Sequence, residues 1–185
     1  MNVQETGLPG VLLLQPPVFR DARGFFRETW RADRYADIGI AGPFVQDNVS
    51  LSARGVLRGL HFQEPGAQGK LVCVLRGEVW DVAVDVRVGS PTFGRWTGHP
   101  LSAENGCQLW IPEGFAHGFL VTSDEALFAY KCTAPYRPEA ELTVLWNDPE
   151  LGIEWPAVEP LVSYKDERGV RLRDLPPERL PRWTP

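Results

Sequence analysis

The sequence predicts an all-β fold, a sandwich or a jelly-roll barrel, on three observations. Its 18 glycines and 17 prolines are spread along all 185 residues and punctuate short segments. Those segments alternate apolar and polar side chains, the period of a strand with one buried face. Helical periodicity is scarce. The length suits one sizeable core and falls short of two ordinary domains, so residues 1–185 are expected to form a single domain.

Along the chain, residues 31–38 are expected to form a short helix. Residues 70–76 read as a strand, and Arg76-Gly77-Glu78 as a tight hairpin turn, because glycine tolerates positive φ. Residues 78–87 are the clearest strand: Trp80, Val82, Val84 and Val86 share one face, and Val79, Asp81, Ala83 and Asp85 the other. Further strands are read at 95–102, 107–111, 118–122 and 126–133, separated by Ser-Pro, Glu-Asn-Gly, Pro-Glu-Gly and Ser-Asp connections. From about residue 149 the chain is Pro-rich and irregular, a tail expected to wrap over the barrel, with one helical turn at 177–180.

A net charge of −5, a pI near 5.3 and no run of Lys or Arg argue against nucleic acid as a partner. A negatively charged ligand must then be met by locally placed cations. The apolar run at residues 11–14 is far shorter than a signal peptide's hydrophobic region and no basic residue precedes it, so neither export nor a membrane is expected. Cys73, Cys107 and Cys132 are widely spaced in apolar segments, which predicts core thiols in a reducing cytoplasm.

The only histidines are His61, His99 and His117. Metal-binding cupin-type barrels usually present two histidines one residue apart with a carboxylate shortly after, whereas Phe62 and Gln63 follow His61, so no metal is expected. A lone histidine also reads as a hydrogen-bonded structural residue. His61 is set apart by Arg58 three residues before it and Lys70 nine after, two cations able to flank a neutral imidazole. A carboxylate on its other ring nitrogen would restore basicity and fix the tautomer; Asp166 is a candidate at a great distance in sequence. His117 stands in a Pro/Gly loop leading into a strand and reads equally as a turn histidine bonded to backbone; His99 is left outside the site. Residues 21–28 gather a cation, two aromatics and a carboxylate, and a β-turn with core aromatics explains them as well.

Seven segments, residues 21–28, 44–48, 56–63, 68–72, 77–85, 108–119 and 146–149, resemble the dTDP-4-dehydrorhamnose 3,5-epimerase family in its own order. Singly each is weak; the ordered set is specific and covers about residues 3–170. The resemblance implies a cupin-like jelly-roll barrel with short peripheral helices, a homodimer, a nucleotide-linked sugar as substrate and no cofactor. By the same resemblance His61 abstracts a proton with Asp166 paired to it, Tyr130 donates a proton from the other face, and Lys70 stands near the keto oxygen. Arg23, Phe26, Glu28, Gln46, Asn48, Arg58, His117, Glu141 and Lys165 match binding positions. The chain departs from the family in having Tyr164 where Glu is frequent, and in a shorter loop at 64–67; neither removes a reacting group.

The implied chemistry needs a base on one face of the sugar, stabilisation of an enolate, and an acid on the other face. His61, Lys70 with Arg58, and Tyr130 suit those parts. Three other readings stand beside it. An epimerase acting at C3 or C5 alone would carry nearly the same motifs. A barrel that binds a nucleotide-sugar without turnover would lack a reacting group. A metal-dependent cupin would need more histidine ligands.

Overall fold

A computed structural model describes residues 1–184. In chain order the strands are β1 (Asn2–Glu5), β2 (Leu12–Gln15), β3 (Val18–Asp21), β4 (Gly24–Arg27), β5 (Gln46–Ala53), β6 (Val56–Gln63) and β7 (Lys70–Arg76). They continue as β8 (Glu78–Asp85), β9 (Trp96–Ser102), β10 (Gln108–Ile111), β11 (Phe115–Val121), β12 (Glu125–Cys132), β13 (Glu141–Thr143) and β14 (Leu161–Val162). Two short helices, α1 (Ala32–Ala36) and α2 (Tyr164–Glu167), and single 3-10 turns at Pro138–Ala140, Leu172–Asp174 and Pro177–Arg179 lie outside the sheets.

One sheet runs β1-β2-β10-β7-β12-β5 and the other β13-β6-β11-β8-β9, with β14 added in parallel beside β6. Eight of these strands nest as a jelly roll: β5 pairs β12, β6 pairs β11, β7 pairs β10, and β8 pairs β9. Among the described residues no ladder joins the two sheets edge to edge, so they meet as facing layers. Val72, Val74, Leu109 and Phe128 from the first sheet pack against Val79, Ala83, Phe119 and Val121 from the second.

The expected hairpin at Arg76-Gly77-Glu78 is corrected: β7 and β8 belong to different sheets, and the turn carries the chain between them. Glycine is required there, since φ is 76° and an added Cβ would lie 1.9 Å from the Glu125 carbonyl oxygen. The hairpin partner of β8 is β9. The strand expected to reach residue 87 ends at Asp85, whose carboxylate accepts from Ser90 Oγ (2.5 Å), Thr92 Oγ1 (2.6 Å) and the Arg87 amide and guanidinium, pulling the chain into a turn. The helix expected over 31–38 covers Ala32–Ala36.

Alternation along β8 is as read, with both faces buried. Its Val79/Ala83 face joins the inter-sheet core, and Trp80, Val82 and Val84 face outward. The tail covers that outer face with Leu151, Leu172, Leu175 and Leu180. Asp148, 3% exposed, pins it by accepting from the Leu172 amide at 2.9 Å. On the first sheet's outer face, Tyr35 and Ile40 cover Leu14, Leu71 and Trp110. Val49, Leu51 and Leu75 remain exposed beside them.

Candidate active site

A cavity of about 390 Å³ opens between the two sheets, and both contribute to its wall. From the first sheet come Gln46, Asn48, Lys70 and Tyr130; from the second, Arg58, His61, His117 and Glu141; from α2, Lys165 and Asp166. In a regular strand Arg58 and His61, three residues apart, would point to opposite faces. The β6–β11 ladder shifts register between them: His61 opposes His117, and Arg58 opposes Phe119. An extra residue in β6 therefore turns both side chains into the cavity. Gly59 makes the irregularity feasible, with φ at 121° and the β11 backbone so close that an added Cβ would be 2.5 Å from Gly118 Cα.

His61 Nε2 lies 2.5 Å from Asp166 Oδ1. Asp166 arrives there because β14 pairs in parallel with the start of β6, and Ser163 then caps α2 by accepting from the Asp166 amide. Its carboxylate is 2% exposed. Burial pushes its pKa up, but the hydrogen bond and charge of His61, the Ser163 bond and Lys165 outweigh that and hold it below the usual carboxylate range. An ionised carboxylate only accepts, so Nε2 carries the hydrogen and Nδ1 keeps the lone pair that can take a proton.

Glu141 Oε1 stands 3.9 Å from that Nδ1. Lys165 Nζ binds both Glu141 oxygens at 2.9 and 3.0 Å, and the Tyr136 hydroxyl donates to Oε2 at 3.0 Å. Burial raises the Glu141 pKa; Lys165, His61 and Tyr136 together more than reverse it. Lys70, 8% exposed, donates to the His61 carbonyl oxygen at 3.4 Å. Burial lowers its pKa, and Cys132, Glu141 and Asp81 oppose the shift.

Tyr130 stands on the sheet opposite His61, so the cavity has an imidazole on one wall and a phenol on the other. Burial is the chief reason its pKa is raised, with Cys132 and Glu141 adding to it and Arg58 opposing. The hydroxyl therefore holds its proton firmly. His117 is not the turn histidine its local sequence allows. It lies within β11, where Nε2 is 3.0 and 3.1 Å from the oxygens of Asp81, a carboxylate with 0% exposure. Two cross-strand histidines are thus each backed by a buried acid.

Three expected residues are not brought to this cavity by their own chain. Arg23 is paired with Asp21 at 2.5 Å on the β3–β4 hairpin, Phe26 is 70% exposed there, and Glu28 pairs with Arg34 at 2.8 Å. Cys132, expected as a plain core residue, is buried but lines the cavity and receives a long contact from Asn48 Nδ2, 3.8 Å; Cys107 is half-buried. Tyr164 is exposed, with the Arg168 guanidinium over its ring. Sequence reading missed Asp81, Ser50 and Tyr136. Asp81 did carry a signal, as a charged residue on the strand face shared with Val79 and Ala83.

The family model described as dTDP-4-dehydrorhamnose 3,5-epimerase matches residues 5–174. The chain is 55% identical to the dTDP-4-dehydrorhamnose 3,5-epimerase of Shigella flexneri, over 94% of this chain and 97% of that protein. It is 56% identical to that of Neisseria gonorrhoeae, where the match spans 91% of this chain and 52% of the relative's length. Among solved structures, dTDP-6-deoxy-D-glucose-3,5-epimerase from Legionella pneumophila Philadelphia 1, in complex with dTDP-4-keto-L-rhamnose, superimposes with a TM-score of 0.97. Sequence identity there is 51%, over 100% of this chain and 99% of the other.

Proposed function

Because this chain belongs to the dTDP-4-dehydrorhamnose 3,5-epimerase family, we propose that it inverts C3 and C5 of dTDP-4-dehydro-6-deoxy-D-glucose to give dTDP-4-dehydro-L-rhamnose. One observation carries the assignment of roles: His61 with Asp166 and Tyr130 stand on facing sheets around one cavity, with Lys70 in its wall.

The 4-keto group acidifies the hydrogens on C3 and C5. His61 Nδ1 removes one of them, and the electron pair moves onto the keto oxygen as an enolate. The Lys70 ammonium, already desolvated, stabilises that charge; such preorganised groups supply several kcal/mol. Tyr130 returns a proton to the same carbon from the opposite face, inverting it. The phenolate regains a proton from solvent, His61 loses one to solvent, and the cycle repeats at the second carbon. A positioned acid or base contributes roughly 10²- to 10⁴-fold. Only protons move, so the step asks for no redox cofactor or metal. Arg58 and Lys165 meet the diphosphate, with Gln46, Asn48, His117 and Glu141 around the rest of the ligand.

The same reading makes the protein a cytoplasmic homodimer in which the β3–β4 hairpin, with Arg23, Phe26 and Glu28, reaches a partner's cavity. Residues 1–185 form one functional unit, because the tail from about residue 149 supplies Asp166. The test is incubation with the substrate in deuterium oxide, following the C3 and C5 proton signals by NMR, with His61→Ala as control. Exchange at both carbons that disappears in the control is expected. Exchange at one carbon would assign a single-site epimerase, and none at all would leave a nucleotide-sugar binding protein.

A further inference from the structure

We infer that Ser50 is an additional ligand contact, donating its hydroxyl to a phosphate oxygen of the bound nucleoside diphosphate beside Arg58. Among the described residues β5 is the outermost strand of its sheet and pairs only with β12. Along it Gln46, Asn48, Ser50 and Ser52 recur at every second position and share the inner face, whereas Asp47, Val49 and Leu51 point outward and are exposed. Three of those four inner polar side chains are partnered within the protein. Gln46 donates to Asn48 Oδ1 at 3.0 Å and accepts from the Tyr136 amide at 2.8 Å. Asn48 Nδ2 approaches Cys132 Sγ, and Ser52 Oγ accepts from Arg58 Nε at 3.1 Å.

Ser50 Oγ is the exception. It is buried, has no hydrogen-bond partner among the described residues, and its residue lines the cavity. Directly across the ladder stands Phe128, stacked on Phe119 with centroids 4.1 Å apart, which offers no acceptor. An unpaired buried hydroxyl destabilises a protein, and an alanine would be better tolerated there if packing were the only demand. On a cavity wall the same hydroxyl is a donor held ready for a ligand acceptor. Among the described residues Arg58 donates only through Nε, leaving the terminal amines of its guanidinium for that ligand. A hydroxyl and a guanidinium on the wall of one cavity, with Ser50 two residues before the Ser52 that holds Arg58 Nε, fit an oxygen of a phosphate group, for which charge-assisted bonds are strongest.

The inference rests on the epimerase reading of this cavity, and the two fail differently. Titration calorimetry with dTDP, on the wild type and on Ser50→Ala, is paired with the thermal midpoint of each ligand-free protein. Expected is affinity for dTDP weakened about ten- to a hundred-fold by the substitution, from the loss of a hydrogen bond to a charged acceptor. Expected with it is a thermal midpoint equal to or above the wild type, because an orphan hydroxyl has been removed. Unchanged affinity would overturn the inference. So would weakened affinity with a lowered midpoint, which would make Ser50 a packing residue. If the wild type itself failed to bind dTDP, the reading of the cavity would fall and the inference with it.

Discussion

At the scale of single residues, the cavity is a place where burial is spent on chemistry. Asp166 and Glu141 both titrate below the ordinary carboxylate range in the folded protein. The unfolded chain therefore binds their protons more readily. The stability they contribute is complete above about pH 4, the unfolded value, and is lost as pH falls through their lower folded values. Asp166→Asn should flatten that part of the acid-unfolding curve, followed by circular dichroism. It should also cut kcat by about 10²- to 10⁴-fold, because the amide no longer favours the tautomer with Nδ1 free. Unaltered kcat would remove Asp166 from the mechanism. Lys70 works the other way. Its folded pKa lies below the ordinary lysine value of 10.5, so holding it charged costs stability at every pH under that value, and the cost disappears above it. Lys70→Met is expected to raise the thermal midpoint by several degrees at neutral pH while lowering kcat about 10²- to 10³-fold. A lower midpoint would mean that its bond to the His61 carbonyl is structural.

At the scale of elements, the β6–β11 ladder determines whether the histidines meet the ligand. The bulge beside Gly59 brings Arg58 and His61 to one face, and the close approach of Gly118 leaves no space for a side chain at either glycine: a Cβ on Gly118 would be 2.7 Å from the Arg58 carbonyl oxygen. Gly59→Ala would add a side chain at positive φ and against backbone at once. Destabilisation of about 2–4 kcal/mol is expected from strain of this kind, read by chemical denaturation. Activity should fall more steeply than stability, since His61 and His117 both ride on the disturbed register. A stable variant with full activity would show that the register does not position the site. α2 is the second element on which the site depends. Its Ser163 cap holds Asp166 against a strand on the far side of the chain.

At the scale of the whole molecule, the unexplained surface is apolar. Phe19, Phe25 and Phe26 on the β3–β4 hairpin and Val49 and Leu51 on β5 are exposed together with Leu75. These are the apolar groups that the proposed dimer would cover. If the hairpin completes a partner's cavity, inactive Arg23→Ala and inactive His61→Ala proteins should regain activity on mixing. Random exchange of subunits makes half the dimers mixed, each with one intact site, so about a quarter of wild-type activity is expected. No recovery, with subunit exchange verified by native mass spectrometry, would mean that each site is built from one chain.

The sequence by itself determined the all-β class, the strands between residues 70 and 133 to within a few positions, and the two faces of β8. These are local properties: alternation and glycine placement record what a few neighbouring residues need. Through the ordered motifs it also indicated the reaction and half of the residues that line the cavity. Tertiary structure alone decided that Gly77 joins two sheets instead of closing a hairpin, that an extra residue in β6 rotates Arg58 to the side of His61, and that Asp81 lies beneath His117. The pairing of Asp166 with His61, 105 positions apart in the chain, was implied by the ordered motifs, and the fold supplies its 2.5 Å contact. The physical reason is that sheet order and register depend on pairings between distant segments, chosen by how whole faces bury one another, and no short window of sequence contains both partners.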